Sequence, residues 1–240
     1  MSYTGARFSA PLARCRRFTS WILQYVPHVN PLRVLDIGCG TGLQIFDLAQ
    51  YLPHARFTGI DISEINISLA DKARLQLPYG DRIEFLGKNY MELQVAPFDL
   101  IISYSTLHLI PVSQKTLFGK ISNDLAAGGL LVNAMPYDCL FNRWLSLIRR
   151  LCKALRSTSM DTIIFKLAKR LHGDEMDQDQ LLERIVYMYQ LPECYGGAVL
   201  HQLLRTHCGL EVAGEHNEIH ASIGQLKHRI TVFRKVRSPS

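Results

Sequence analysis

Two aspartates and three closely spaced glycines near the start of the chain have the types and spacing of a ligand-binding turn. Positions 34–42 read VLDIGCGTG, so Asp36 comes just before the glycines. Glycine lets the backbone turn tightly and lets a ligand approach it closely, and the helix expected after the turn offers unpaired N–H groups. A second acid, Asp61, ends another apolar run. A carboxylate there can accept hydrogen bonds from both hydroxyls of a ribose.

The glycine spacing distinguishes between the nucleoside cofactors that such a turn can hold. The pattern is Gly-x-Gly-x-Gly, without the Gly-x-x-Gly spacing of a pyrophosphate-binding fingerprint. S-adenosylmethionine carries a sulfonium and an ammonium group, and both cations suit a site with acids at its mouth. The residues therefore predict S-adenosylmethionine as the cofactor and S-adenosylhomocysteine as its product.

Alternating strand and helix patterns would position these residues. Strands are predicted at 33–37, 56–60, 83–86, 98–103, 130–134, 210–219 and 229–235. Helices are predicted at 43–52, 63–75, 114–125, 140–156, 161–171, 181–190 and 199–207. The fourth strand is apolar almost throughout, as expected of a strand buried on both faces. Single helices between strands favour right-handed crossovers and a parallel sheet.

At these positions the sequence resembles the class I S-adenosylmethionine-dependent methyltransferases of the small-molecule type. Residues 36–42 (DIGCGTG) match the first motif of that family, 98–103 (FDLIIS) its fourth-strand motif, and 127–131 (AGGLL) the turn into its fifth strand. The resemblance implies a doubly wound α/β fold with a mostly parallel, seven-stranded, Rossmann-like sheet whose final strand is antiparallel. It also implies methyl transfer by in-line displacement, and it is uninformative about the acceptor.

The resemblance implies a role for individual positions around the cofactor. The glycine-rich turn would hold the methionine part, Asp61 the ribose, and Ile62 the adenine ring. Asn89 stands where many relatives have an acid that accepts from the adenine amino group. Its amide oxygen can accept as well, or Asn89 is simply a turn residue. The predicted cofactor-binding residues are Asp36, Gly38, Cys39, Gly40, Gly42, Asp61, Ile62, Asn89, Tyr90 and Ser103.

The acceptor is expected at the carboxyl end of the fourth strand, where ligands bind in open α/β sheets. His108 is the candidate general base by type and position, although relatives often use this position only to shape the pocket. Tyr104 can orient an acceptor or cap the sulfonium through a cation–π contact, or it is a packed aromatic. Asp138 is a second base candidate. The predicted substrate-contacting residues are Tyr104, His108, Met135, Tyr137 and Trp144.

The chain divides into four predicted parts. Residues 1–30 form an N-terminal helical lid segment, 31–135 the cofactor-binding core, 136–195 a helical insertion over the substrate, and 196–240 a helix and two strands that complete the core. The net charge of +6 arises in the first part of the insertion, because residues 136–172 contain eight Lys/Arg and two Asp/Glu and the rest of the chain is neutral. A charged face turned to solvent, with the apolar side of the lid beneath it, is the simplest interpretation.

The basic insertion also allows contact with an anionic partner. Residues 143–170 can dock on an anionic carrier or on a membrane surface. Nucleic acid is disfavoured as a partner, because the basic stripes are short and the rest of the chain carries no net charge.

The amino-acid composition argues against a disordered, a disulfide-bonded and a metal-binding protein. With 48% hydrophobic and 20% charged residues the chain is globular rather than disordered. Its six cysteines have neither CxxC nor zinc spacing, which favours reduced thiols in the cytoplasm, and no metal is expected. His216 and His220 lie too far apart along an extended strand to share a metal.

The predicted function is methyl transfer to oxygen or nitrogen of a small-molecule, biosynthetic acceptor. One alternative is a methyltransferase for a lipid or carrier-bound substrate that docks through the basic helices. The other is a non-catalytic S-adenosylmethionine-binding module. The sequence leaves the oligomeric state open.

Overall fold

Strands and helices alternate in the predicted order in the computed structural model, which describes residues 12–26, 31–94, 97–172, 189, 191–217 and 225–236. The helices are α1 (Leu12–Leu23), α2 (Leu43–Tyr51), α3 (Glu64–Arg74), α4 (Gln114–Asp124), α5 (Leu140–Ala154), α6 (Thr158–His172) and α7 (Ala198–Cys208). The strands are β1 (Arg33–Ile37), β2 (Arg56–Asp61), β3 (Ile83–Gly87), β4 (Phe98–Tyr104), β5 (Leu125–Pro136), β6 (Leu210–Asn217) and β7 (His228–Lys235).

The described strands form one seven-stranded sheet in the order β3-β2-β1-β4-β5-β7-β6. The first five strands are parallel, and β7 runs antiparallel to both β5 and β6. The strand order reverses between β1 and β4, so their carboxyl ends open a crevice at the switch point. The doubly wound, mostly parallel sheet with its antiparallel strand at the end of the chain is therefore confirmed.

Helices cover the two faces of this sheet with separate apolar layers. On one face, Phe18 of α1 and Ile45 of α2 pack on β-strand residues such as Val34. On the other, Phe118 of α4 and Leu204 of α7 are buried in a second layer. Successive strand residues point to opposite faces, which is why a nearly all-apolar strand such as β4 fits between two helical layers.

The fifth strand is longer than predicted. It begins at Leu125 rather than Leu130 and includes Gly128 and Gly129, which the sequence analysis assigned to a turn. Gly128 has φ +79°, and the pairing of β4 with β5 shifts register between Phe98 and Leu100. The two glycines thus lie in an irregular part of the strand instead of ending it.

The orientation of α5 differs from the simplest interpretation of the insertion. Polar Asn142 and Ser146 are the buried residues of this helix, whereas Leu140, Trp144 and Leu151 are exposed. The apolar side therefore faces solvent. The helix predicted at 181–190 falls almost wholly outside the described residues.

No helix in the described part of the chain is both long and apolar enough to cross a bilayer.

Candidate cofactor and acceptor site

The predicted glycine-rich turn follows β1 and has a backbone that favours glycine. Gly38, Gly40 and Gly42 have φ of +77°, +54° and +82°. A Cβ on Gly38 would collide with the side chain of Thr106, and one on Gly42 would lie 2.6 Å from Cζ of Phe85. The Gly38 and Cys39 amides donate to Ile60 O at 2.7 and 3.0 Å. These contacts hold a tight cradle at the carboxyl ends of β1 and β2.

Asp61 ends β2 directly beside this cradle. Its Oδ2 accepts from the Gly40 amide at 2.9 Å, and its Oδ1 accepts from the Ser63 amide at 2.8 Å. Each carboxylate oxygen has a second lone pair, so the group can still accept from two ribose hydroxyls. The two acids that the sequence singled out therefore lie beside the same glycine-rich turn, at the same end of the sheet, as the cofactor prediction requires.

Asp36 is buried at the end of β1. Burial, and next the nearby charge of Asp61, raise the pKa of Asp36 to about 8. Two acids in a dry cleft favour a cationic ligand, because a cation relieves both the repulsion and the loss of solvation.

The N-terminal helix contributes to the same cleft, which is lined by Arg14 and Cys15 of α1 together with Asp36, Gly38, Cys39, Thr41, Leu43, Gln44 and Tyr104. The sequence analysis missed Arg14, Thr41 and Gln44 as site residues. The basic cluster at 14–17 in α1 was the available signal for Arg14, because a guanidinium can hold a ligand carboxylate.

The residues predicted near adenine differ in their surroundings. Ile62 is 43% exposed just after β2. Asn89 Oδ1 accepts from the Met91 amide at 3.1 Å, the local contact of a turn residue. Tyr90 is buried, and its hydroxyl donates to Asp124 Oδ2 at 2.7 Å, so its ring packs beneath α4. Ser103 is buried, and its hydroxyl donates to Ile37 O at 2.8 Å, which joins β4 to β1.

Tyr104 lies where three elements meet. Its ring makes an edge contact with Phe18 of α1 at 5.2 Å between centroids, and the Arg14 guanidinium lies 5.6 Å from its centroid. On the other side, the ring of His228 is nearly parallel to it at 6.2 Å. Tyr104 thus borders both the cofactor cleft and the neighbouring histidines.

His108 is buried in a 3-10 turn after β4, and its Nδ1 makes no hydrogen bond with another described group. Burial, and then the electrostatic effect of His228 and of the Arg149 guanidinium, hold the pKa of His108 well below its ordinary value. The ring is therefore neutral at physiological pH, and its nitrogen atoms are suited to hydrogen bonding more than to proton capture.

A serine–histidine pair that the sequence analysis missed lies beside these rings. Ser105 has φ +57°, and its Oγ lies 2.8 Å from His228 Nε2. His228 Nδ1 lies 2.8 Å from Leu226 O. A carbonyl only accepts, so Nδ1 carries the proton and Nε2 accepts from the Ser105 hydroxyl. His228 has no nearby motif in the sequence, because β7 brings it here from the far end of the chain.

The insertion brings Arg149 towards this cluster from the inward side of α5. Burial lowers the pKa of the Arg149 guanidinium, which in turn acts on His108. A positive charge at this position favours an anionic or oxygen-centred group in the acceptor.

The other predicted substrate residues separate into two groups. Met135 is buried at the end of β5, and Tyr137 follows it, with the Arg229 guanidinium 4.6 Å from its ring centroid. Trp144 is 66% exposed on the outward side of α5, opposite buried Asn142 and Ser146. Asp138 pairs with Arg143 at 2.6 Å near the surface. The structure therefore does not bring Trp144 or Asp138 to the histidine cluster.

Among the described side chains, no group of three or more His, Cys, Asp or Glu is placed to hold a metal ion.

Comparison with curated proteins identifies a family and partial relatives. A family model described as a methyltransferase domain matches residues 28–188, more than half of the chain. The chain is 32% identical over 126 residues to the trans-aconitate 2-methyltransferase of Streptomyces avermitilis, 51% of this chain and 46% of that protein. It is 45% identical over 56 residues to a tRNA1(Val) (adenine(37)-N6)-methyltransferase of Vibrio cholerae, 23% of each protein. The chain thus spans from about a quarter to about half the length of these relatives.

Solved structures share the fold at low sequence identity. The N-methyltransferase NodS of Bradyrhizobium japonicum WM9 has a TM-score of 0.59 and 18% identity, over 95% of this chain and 99% of that chain. The magnesium protoporphyrin IX methyltransferase ChlM of Synechocystis PCC 6803, solved with bound S-adenosylhomocysteine, has a TM-score of 0.58 and 18% identity, over 95% and 83%. The fold, the cradle and the family model agree: this chain belongs to the family of S-adenosylmethionine-dependent methyltransferase domains.

Proposed function

We propose that this protein transfers the methyl group of S-adenosylmethionine to an oxygen or nitrogen atom of a small-molecule, biosynthetic acceptor. The observation that carries the proposal is the junction at Tyr104, which borders the acidic cofactor cleft on one side and a cluster of two histidines on the other. The methyl donor and the molecule that accepts the methyl group can meet at this junction.

The cleft fits the cofactor on physical grounds. Gly38, Gly40 and Gly42 hold the left-handed backbone conformations of the tight turn, and buried Asp36 gains from a nearby cation. We assign the ammonium to Asp36, the ribose hydroxyls to Asp61 and the methionine carboxylate to Arg14. The remaining predicted contacts, from Cys39, Gly40, Ile62 and Ser103, belong to the same proposal.

When bound, S-adenosylmethionine supplies an electrophilic methyl group, and the protein must align the nucleophile and exclude water. Tyr104 orients the acceptor next to the sulfonium end. Neutral His108 accepts a hydrogen bond from the acceptor through its unpartnered Nδ1. The proton that leaves the acceptor passes to Ser105 Oγ as the Ser105 hydroxyl proton moves to His228 Nε2, the atom to which this hydroxyl already donates. Met135 and Tyr137 line the acceptor side.

Two segments are proposed as covers for this site. α1 closes the cofactor cleft with Arg14 and Cys15, and α5, from the 136–195 insertion, covers the acceptor through Arg149. With six free thiols, the protein fits the reducing conditions of the cytoplasm.

A tRNA acceptor is disfavoured. The residues after β4 here are Ser105 and Thr106, without the Asn-Pro-Pro-Tyr sequence typical of adenine-N6 methylation. A lipid or carrier-bound acceptor is the second candidate, and the exposed apolar side of α5 favours it.

The test measures transfer of labelled methyl from S-adenosylmethionine to a panel of small hydroxy, carboxylic and amino acceptors. We expect turnover with a subset of these. His228→Gln and His108→Asn should lower kcat by about 10²-fold or more, as for a lost acid–base or orienting group, with little change in cofactor affinity. His54→Gln, at an exposed position outside the site, is the matched control.

Cofactor binding without turnover on the small-molecule panel or on lipid and carrier-bound acceptors would instead support a non-catalytic binding module. Equal kcat for wild type and His228→Gln would remove His228 from the mechanism while leaving the activity itself in place.

A further inference from the structure

The outward side of α5 is an exposed apolar stripe on an otherwise basic surface. Leu140, Trp144, Leu151 and Leu155 are 76%, 66%, 56% and 65% exposed, and Leu147 lies between them at 49%. Their spacing of three, four and seven residues places them on one side of the helix. A helix of 15 residues makes this stripe about 22 Å long. We call these five residues the α5 stripe.

Hydrogen bonds on the opposite side fix this orientation. Asn142 Nδ2 donates to Tyr137 O at 2.7 Å and to Lys227 O at 2.8 Å, and its Oδ1 accepts from the Lys227 amide at 2.8 Å. One turn later, Ser146 pairs with the Tyr195 hydroxyl. The polar side of α5 is thus bonded to Tyr137, to Lys227 just before β7, and to the segment before α7. Rotating the α5 stripe inward would break all of these contacts.

Basic side chains lie on α5 and α6, the two helices of the segment that carries the α5 stripe. Arg150 and Lys153 are exposed on α5, and exposed Lys166, Lys169 and Arg170 follow on α6 beside exposed Ile163 and Leu167. Residues 136–172 carry eight basic and two acidic side chains. Apolar leucines and a tryptophan next to lysines and arginines are the composition of helices that lie in the interface of an anionic bilayer.

We propose that α5 docks this protein on the surface of an anionic lipid bilayer, with the α5 stripe among the acyl chains and the basic residues against the headgroups. The helix lies parallel to the surface, because its polar side stays bonded to the catalytic domain. The acceptor cluster then lies just above the membrane, behind Asn142 and Arg149.

Charge favours an anionic bilayer, rather than a second copy of the chain, as the partner that covers the α5 stripe. Pairing two α5 stripes would bring two strongly basic segments together, and like charges at close range oppose association. An anionic headgroup layer neutralises the same residues. The attraction should therefore weaken as salt screens it, while the apolar contribution remains.

The test uses the full-length protein and vesicles of phosphatidylcholine with or without about 30 mol% phosphatidylglycerol, a fraction sufficient for a negative surface potential. We expect sedimentation with the anionic vesicles, weakened when NaCl rises from about 0.05 to about 0.5 M. Leu147→Glu/Leu151→Glu should lower the partition coefficient at least about tenfold. Leu75→Glu/Val199→Glu replaces two exposed apolar residues elsewhere, 70% and 83% exposed, and should bind like wild type.

Tryptophan fluorescence gives an independent readout of insertion. The chain has two tryptophans, so Trp21→Phe leaves Trp144 as the sole reporter. Its emission should shift to the blue on anionic vesicles and be quenched by brominated acyl chains. Cofactor affinity and melting temperature check that every variant is folded.

Three results would overturn the proposal. The first is no binding of the folded wild type to anionic vesicles. The second is undiminished binding of Leu147→Glu/Leu151→Glu. The third is a wild-type dimer, without vesicle affinity, that becomes monomeric in that variant, because a second copy would then cover the α5 stripe. None of them depends on the acceptor, so the proposed methyl transfer is tested separately.

Discussion

Asp36 couples cofactor binding to pH. Its pKa is raised to about 8 in the free protein, so it holds a proton near neutrality, whereas a bound ammonium favours the carboxylate. Binding should therefore release a proton, and affinity should rise by up to about tenfold per pH unit until about pH 8. Calorimetry at pH 7 in buffers of different ionisation enthalpy measures the released proton. A wild-type affinity that is constant between about pH 6 and about pH 8 would contradict the assignment.

The variant Asp36→Asn is the control for that experiment, and stability gives a check on folding. The folded pKa lies above the ordinary value of 3.8, so the folded state binds more protons than the unfolded chain between 3.8 and about 8. The contribution of Asp36 to the free energy of unfolding therefore decreases as the pH rises from 3.8 to about 8. Asp36→Asn should bind the cofactor weakly without proton release, yet be more stable than wild type above about pH 8.

Asp61 has two structural bonds in addition to its proposed ribose contact. Asp61→Ala should weaken cofactor binding by about 1–3 kcal/mol, as for a lost buried charged hydrogen bond. Because Gly40 N and Ser63 N both donate to this carboxylate, part of that loss comes from the cradle itself. Asp61→Asn keeps one acceptor oxygen and should lose less. Isothermal titration measures the cofactor affinity of both variants. Equal affinity of wild type and Asp61→Ala would exclude the ribose role.

At the scale of elements, the β1–α2 turn depends on glycine for both conformation and space. Gly42→Ala would force a Cβ against Phe85 at φ +82°, so we expect a loss of about 2 kcal/mol or more in the free energy of unfolding, together with weakened cofactor binding. Gly119→Ala is the matched control: it lies within α4 with no atom within 4 Å of the added Cβ. It should stabilise the protein by about 0.5–1 kcal/mol. Urea unfolding measures both, and comparable stability of the two variants would refute the strained turn.

At the scale of the whole molecule, α1 connects the far edge of the sheet to the cofactor cleft. Trp21 stacks on His216 of β6 at 3.7 Å between ring centroids, and the Tyr25 hydroxyl lies 2.9 Å from His216 Nε2. The N-terminal end of the same helix brings Arg14 and Cys15 to the cofactor cleft. His216→Ala should therefore lower cofactor affinity about fivefold without touching the cleft, a coupling of about 1 kcal/mol.

Thermal shift and calorimetry measure this coupling. His207→Ala, an exposed histidine on α7, is the control and should bind the cofactor like wild type. Cofactor binding should also protect α1 from hydrogen exchange in wild type, because a ligand that contacts the helix favours its docked state. Unchanged affinity in His216→Ala would show that α1 closes the cleft without help from β6.

The sequence alone determined the cofactor cradle, the order of the strands and the doubly wound sheet, because glycine turns, strand-end acids and apolar periodicity are local signals. Only the tertiary structure decided which distant groups meet. β7 carries His228 to Ser105 across more than a hundred residues, and packing turns Tyr90 beneath α4. The orientation of α5 about its axis was likewise not predictable from the sequence. Periodicity shows that a helix has an apolar side, but it does not show which side the neighbouring elements bury. Hydrogen bonds between Asn142 and Lys227, just before β7, fix which side of α5 is buried.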